Sequence, residues 1–196
     1  MKINNPRVIL ISGTPGTGKT TISEIISKKM NLNLINLSKI VIEKKFIFNR
    51  DEQRDTEIVD EKKLIKFLTT EILRFPEGLL IEGHYADITP SEFVDCCIIL
   101  RSNPVIIQER LIKRKYKKSK IMENIQAEIL GVCVNDCINA YGPEKVFEID
   151  TSKGNIEEIS LKIIDIIKKK TTIFLAGKIN WLSSISENDL RNYFGD

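Results

Sequence analysis

Apolar residues fall along this chain in two rhythms. Short apolar runs recur at Val8-Ile9-Leu10-Ile11, around Leu34, at Leu79-Leu80-Ile81, from Cys96 to Leu100 and around Phe147. Runs this short, with little polar alternation, predict strands buried on both faces. The five predicted strands are Val8–Ser12, Leu34–Leu37, Leu79–Glu82, Cys96–Leu100 and Lys145–Ile149. Between them the apolar positions recur every three or four residues, as at Ile22, Ile25 and Ile26, which predicts helices. Asp60 is placed to cap a helix running through Arg74, and Asn103-Pro104 reads as an N-cap followed by proline at the first helical position. Ile121, Ile125, Ile129 and Val132 form one stripe, which predicts a single long helix ended by Gly142-Pro143. Asn155–Lys170 reads as a further amphipathic helix. Strands alternating with helices predict an α/β fold, a parallel sheet with helices on both faces. In such sheets ligands bind beyond the carboxyl ends of the strands.

The turn after the first strand carries the chemistry. Residues 13–20 read Gly-Thr-Pro-Gly-Thr-Gly-Lys-Thr, a complete phosphate-binding loop between a strand and a helix. Gly13, Gly16 and Gly18 let the backbone turn tightly around a polyphosphate, and successive N–H groups of the loop point at it. Lys19 is expected to reach the β- and γ-phosphates, and Thr20 to coordinate Mg²⁺. Pro15, Thr17 and Thr21 complete the expected ATP-binding set.

Composition narrows the picture without redirecting it. The chain has 196 residues and 42% hydrophobic positions, enough for one domain with a sizeable core. A formal net charge of +3 is too small to imply nucleic-acid binding by itself. Met1 to Pro6 do not resemble a signal peptide, and no apolar run approaches membrane-spanning length, so a cytoplasmic location is expected, without membrane partners. Four cysteines suggest a reducing compartment. Neither Cys96-Cys97 nor Cys133 and Cys137 has the usual zinc spacing, so they read as small buried hydrophobes. Beyond Thr171, Trp181, Leu182, Leu190, Tyr193 and Phe194 predict a short packed element rather than a free tail.

Three further stretches are candidates. The third predicted strand ends in Glu82-Gly83-His84, where an acid is positioned to hold Mg²⁺, often through water. His84, the only histidine, is either structural or oriented toward water or phosphate. The run from Glu109 to Lys120 carries Arg110 and Arg114 four residues apart, on one helical face, suited to closing on a transferring phosphoryl group. The same run also reads as a solvated basic face or an RNA backbone contact. The charged segment 49–60 is longer than a usual strand-to-helix loop and reads as an acceptor flap or as a solvent loop.

Several of these stretches together resemble the atypical adenylate kinases of archaea and of eukaryotic nuclei and cytoplasm, which also act in small-ribosomal-subunit maturation. They are the phosphate loop with Thr21, Asp-Glu-Gln-Arg-Asp at 51–55, Glu-Gly-His-Tyr-Ala-Asp at 82–87 and Glu-Asn-Ile-Gln-Ala-Glu-Ile at 123–129. The loop is generic; the last two stretches are far more specific. The resemblance covers roughly residues 7–152. It implies a P-loop NTPase fold with a five-stranded parallel core, a kinase domain over 1–170 with an acceptor-binding region at 36–60 and a short lid at 113–123, and a C-terminal extension over 171–196 to which no function is attached. By position Arg114 matches the lid arginine that contacts ATP, Arg110 the basic residue one turn before it, and Glu82 and His84 the acid-x-His element. The resemblance implies transfer from Mg-ATP to AMP or a related monophosphate, with ATP hydrolysis, and partners in a platform ribosomal protein and pre-rRNA. For eukaryotic members it also implies a nuclear location.

Two departures stand out. Ordinary adenylate kinases place Thr-Gly and an arginine soon after the second strand, whereas this chain has Asn36-Leu37-Ser38-Lys39. Arg50 and Arg54 are the alternative candidates for the acceptor phosphate. Glu82 stands where many members have aspartate. Three functions are weighed: a Mg-ATP-dependent phosphotransferase, an ATPase acting as an assembly factor, and a non-catalytic nucleotide-dependent binding module, against which intact Lys19, Thr20 and Glu82 argue.

Overall fold

The computed structural model describes residues 8–51, 56–169 and 172–195. Its elements are β1 (Val8–Ser12), α1 (Lys19–Met30), β2 (Asn33–Asn36), α2 (Leu37–Glu43), β3 (Ile47–Asp51), β4 (Thr56–Val59), α3 (Glu61–Arg74), β5 (Leu79–Glu82), β6 (Val94–Arg101), α4 (Pro104–Lys113), α5 (Lys118–Ile129), α6 (Val132–Tyr141), β7 (Val146–Asp150), α7 (Ile156–Lys169) and α8 (Glu187–Phe194). Five strands form one sheet in the order β2-β5-β1-β6-β7, every neighbouring pair parallel. This is the parallel α/β sheet expected from the alternating runs, and the P-loop NTPase architecture that the resemblance implies.

Period-two alternation splits β1 between two cores. Val8 and Leu10 pack with Leu37 and Val41 of α2, Leu64, Leu68 and Ile72 of α3, and Val134 and Cys137 of α6. Ile9 and Ile11 pack on the opposite face with Ile22 and Ile26 of α1 and Ile159, Ile163 and Ile167 of α7. All five residues of β1 are buried, as a central parallel strand requires. Cys97 lies on the first face and Cys96 on the second, both buried and outside any disulfide.

Local signals set the helix ends. Asp60 accepts from the Lys63 N–H and caps α3, and Asn103 accepts from the Val105 N–H with Pro104 opening α4. The expected single helix over 121–141 is two. Gly131 adopts φ 66°, a left-handed conformation that stops α5 and starts α6 at a new angle. Val132, the last member of the predicted stripe, is exposed, and α6 buries Val134, Cys137 and Tyr141 instead, so periodicity alone runs through the break without marking it. Segment 49–60 is no simple loop: its described residues contribute to an antiparallel pair, β3 with β4, outside the main sheet. None of its described side chains is buried, so it lacks the apolar alternation that marks a strand.

A third cluster joins α4 and α5 to the C-terminal segment. Ile107, Leu111, Ile121, Ile125 and Ile129 pack with Trp181 and Tyr193. The predicted packed element after Thr171 is therefore present, although Leu182 and Phe194 stay largely exposed. No helix among the described residues is long and apolar enough to cross a membrane.

Candidate active site

The phosphate loop leaves the carboxyl end of β1 and feeds α1 through Gly18 at φ 97°. Gly13 has φ 136°, and a Cβ there would lie 2.3 Å from the Leu100 carbonyl oxygen, so only glycine lets the loop pass this close to β6. Lys19 Nζ donates to the carbonyl oxygens of Gly13 at 2.7 Å and Thr14 at 3.2 Å. Burial lowers the Lys19 pKa, opposed by the negative charge of Glu82 and Glu128. Thr17 closes the loop on itself through the Thr14 carbonyl, and Thr151 Oγ1 donates to the Thr17 carbonyl from beyond β7.

Glu82 ends β5 in register with Ile11 on one side and Asn36 on the other. It is 2% exposed. Its Oε1 accepts from Thr20 Oγ1 at 3.1 Å and from Asn36 Nδ2. Burial raises its pKa, while the Thr20 hydrogen bond and Lys19 pull it down. Thr20 and Glu82 thus present a hydroxyl and a carboxylate side by side at the loop. This hard oxygen pair suits Mg²⁺, which keeps several waters and takes few protein ligands. Among the described residues no cluster of three or more His, Cys, Asp or Glu offers a fuller metal cage.

His84 lies beyond Glu82, its ring 3.8 Å from that of Tyr85. The ring opens to the cleft but is walled by protein, and this desolvation, with the charges of Lys19 and Lys120, pushes its pKa down to about 4. It is therefore a neutral imidazole at pH 7.

Two hollows meet here. One, of about 230 Å³, is lined by the phosphate loop, Asn36, Glu82, His84, Arg114 and Tyr116. The other, of about 700 Å³, runs between α2, the β3–β4 pair, α5 and α6, and includes Arg50, Glu57, Asp87, Lys120, Glu123 and Asp136. Pro15, Ser38, His84 and Tyr116 line both.

The expected site residues divide accordingly. Pro15, Gly16, Gly18, Lys19, Thr20, Thr21, Glu82, His84 and Arg114 surround the smaller hollow. Gly13 and Thr17 shape the loop from behind it. Arg110 does not face the hollow: its guanidinium donates to the Gly16 carbonyl at 2.8 Å, bracing the loop from the α4 side. Arg50 lines the larger hollow, whereas Arg54 lies outside the described residues. The expected lid at 113–123 is the end of α4, a tight turn through Lys115 at φ 60°, and the first half of α5.

Asn36, Tyr116, Thr14 and Glu128 lie in stretches the sequence reading singled out, but it gave them no role of their own. Asn36 carried a usable signal, a polar residue at a predicted strand end like Glu82. Glu128 lies in the 123–129 stretch that carries the resemblance, but no neighbour in sequence marks its role, since its partners are 26 to 114 residues away. Buried in the protein, it accepts from Thr14 Oγ1 at 2.6 Å, Arg101 Nε at 2.8 Å, the Ser102 N–H at 3.0 Å and Trp181 Nε1 at 2.9 Å.

Comparison with known proteins agrees with this geometry. Residues 9–131 match the family model described as an AAA domain. A Methanocaldococcus jannaschii protein named "Putative adenylate kinase" is 39% identical over 173 residues, 88% of this chain and 92% of that protein. The Schizosaccharomyces pombe "Adenylate kinase isoenzyme 6 homolog" is 34% identical over 151 residues, 77% of this chain and 84% of that protein. Among solved structures, shikimate kinase from Acinetobacter baumannii superposes with a TM-score of 0.61 at 15% identity, over 85% of this chain and 95% of that one, a likeness of fold.

Proposed function

From the premise that this chain belongs to the atypical P-loop nucleoside monophosphate kinase family, with the archaeal adenylate kinase relatives and the fungal isoenzyme 6 homolog, we propose that it transfers the γ-phosphoryl group of Mg-ATP to AMP or a related monophosphate. General P-loop kinase or ATPase chemistry follows from the family. The choice of acceptor rests on one observation, the junction of a phosphate-loop hollow with a second, nucleotide-sized cleft at Pro15, Ser38, His84 and Tyr116.

The residues would act by placement and charge rather than by forming a covalent intermediate. Lys19 exchanges its loop carbonyls for phosphate oxygens. Thr20 and Glu82 would hold Mg²⁺, which supplies charge neutralisation at the phosphates. Arg114, at the end of α4, adds a planar fork that pairs with phosphate oxygens. Arg110 keeps Gly16 in place beneath them. Arg50 faces the acceptor cleft, where a monophosphate needs a cation. Ser38 of α2 and Tyr116 in the turn before α5 wall the junction and limit water, the competing acceptor.

ATP hydrolysis is a second reading, favoured by His84. A neutral imidazole at the junction can accept a hydrogen bond from water. The resemblance extends this to a role in small-subunit maturation, with a platform ribosomal protein or pre-rRNA as partner and a cytoplasmic or nuclear setting. The decisive assay measures ADP formed from Mg-ATP with and without each monophosphate, then with the platform protein added. ADP formation that ignores every monophosphate would remove the kinase reading. Turnover raised by the platform protein would favour the assembly-factor reading.

A further inference from the structure

We propose that the C-terminal segment 172–195 is a strut for the phosphate loop, acting through Glu128 as a positioning residue. The argument begins with charge. One buried guanidinium, Arg101, faces two buried carboxylates: its Nε is 2.8 Å from Glu128 Oε1 and its Nη1 is 2.5 Å from Glu148 Oε1. A single cation leaves carboxylate lone pairs unsatisfied, which is costly at these depths unless neutral donors fill them. The C-terminal segment supplies such donors. The Gly177 and Lys178 N–H groups donate to Glu148 Oε2 at 2.6 and 3.1 Å, and Trp181 Nε1 donates to Glu128 Oε1 at 2.9 Å.

The segment is tied to α4 and α5 as well. Gln126 Nε2 donates to the Tyr193 carbonyl at 2.7 Å, and the Tyr193 hydroxyl donates to Gln108 Oε1 at 3.0 Å. Trp181 and Tyr193 complete the apolar cluster between these helices. Glu128 is thereby held from one side by the C-terminal segment.

Its other oxygen faces the nucleotide site. Glu128 Oε2 accepts from Thr14 Oγ1 at 2.6 Å. The Thr14 carbonyl in turn receives Lys19 Nζ at 3.2 Å. A phosphate that draws Lys19 away therefore changes the hydrogen bonding of Thr14, and that change reaches Glu128 and the indole N–H. The chain is continuous from Lys19 through Thr14 and Glu128 to Trp181. This inference uses nucleotide binding at the loop and is independent of which acceptor is phosphorylated.

Trp181 is the only tryptophan, so selectively excited indole emission reports on it alone. The test titrates MgADP into the wild type, Thr14→Ser and Thr14→Val, following Trp181 emission and calorimetric heat on the same samples. The expected result is an emission change in the wild type with the calorimetric midpoint, kept in Thr14→Ser and largely lost in Thr14→Val while heat still reports binding. Trp181→Phe keeps an aromatic ring in the cluster and removes the donor with the five-membered ring. It should weaken MgADP binding about two- to tenfold, the span of one net hydrogen bond. Combined with Thr14→Val, the loss should be less than the product of the two single effects, because both act through one carboxylate. Calorimetric saturation without an emission change, a full change in Thr14→Val, or independent single effects would overturn the strut and leave nucleotide binding standing. Absence of MgADP heat in the wild type would remove the nucleotide reading and the strut with it.

Discussion

Replacing Lys19 by methionine separates its role in chemistry from its role in the fold. Methionine keeps an unbranched stem of similar length, so the neighbourhood of α1 stays filled. The ammonium it removes makes two bonds, at 2.7 Å to Gly13 and 3.2 Å to Thr14. Hydrogen bonds to a charged group contribute about 1.5–3 kcal/mol each. Burial of the ammonium opposes this, as its lowered pKa records. The Thr14 carbonyl keeps the Thr17 hydroxyl and N–H as donors, which limits what is lost there. The two effects largely offset, and folding stability should change by about 1 kcal/mol, or ~2–4 °C in Tm for a domain of this size. Catalysis has no such offset. One preorganised donor at a developing charge is worth about 2.7–4 kcal/mol, so kcat should fall ~100- to 1,000-fold. Coupled ADP formation and thermal unfolding on one preparation decide the matter. Turnover within tenfold of wild type would refute the placement of Lys19 at the transferring phosphate. A Tm loss above about 10 °C would show that the offset was misjudged.

Four further outcomes are expected. Glu82→Gln should depress both AMP phosphorylation and ATP hydrolysis about a hundredfold. Because burial holds the folded pKa of Glu82 above its ordinary 4.5, ionisation costs the folded state increasingly as pH rises through that range, so the variant's Tm at pH 7 should not fall; a clear drop would refute this. The single histidine should titrate by NMR near 4 rather than 6.5, and its share of stability should be flat above 6.5 and decline as pH falls from 6.5 toward 4; a midpoint at 6.5 would contradict its desolvation. His84→Gly should lower hydrolysis proportionately more than AMP phosphorylation, since an acceptor monophosphate brings its own nucleophilic oxygen, and an equal loss in both would place His84 in the shared metal shell or the fold. Arg114→Ala should reduce transfer more than nucleotide affinity, whereas Lys118→Ala on the exposed start of α5 should matter little to transfer; equal small effects at both would make the run a solvated face.

The sequence by itself determined the features whose physics is local. An apolar run such as Val8 to Ile11 predicts a buried strand because every side chain in it must leave water, whichever neighbours it finds. Asp60 and Asn103 mark helix starts because a cap bonds to a backbone N–H two or three residues on. The phosphate loop is legible because three glycines, one lysine and one threonine do their work within eight residues. What tertiary structure alone decided depends on how distant segments meet. Gly131 reads as an ordinary glycine until two packing faces demand a change of direction, and Arg110 reads as a phosphate ligand until α4 docks its guanidinium onto the Gly16 carbonyl. The β3–β4 pair is hidden because polar residues on both faces leave no period-two signal. Glu128 looks like a helix-surface acid from its neighbours in sequence. Sheet order brings Arg101 to it from 27 residues away, Trp181 from 53 and Thr14 from 114, and only that convergence makes a buried carboxylate affordable beneath the phosphate loop.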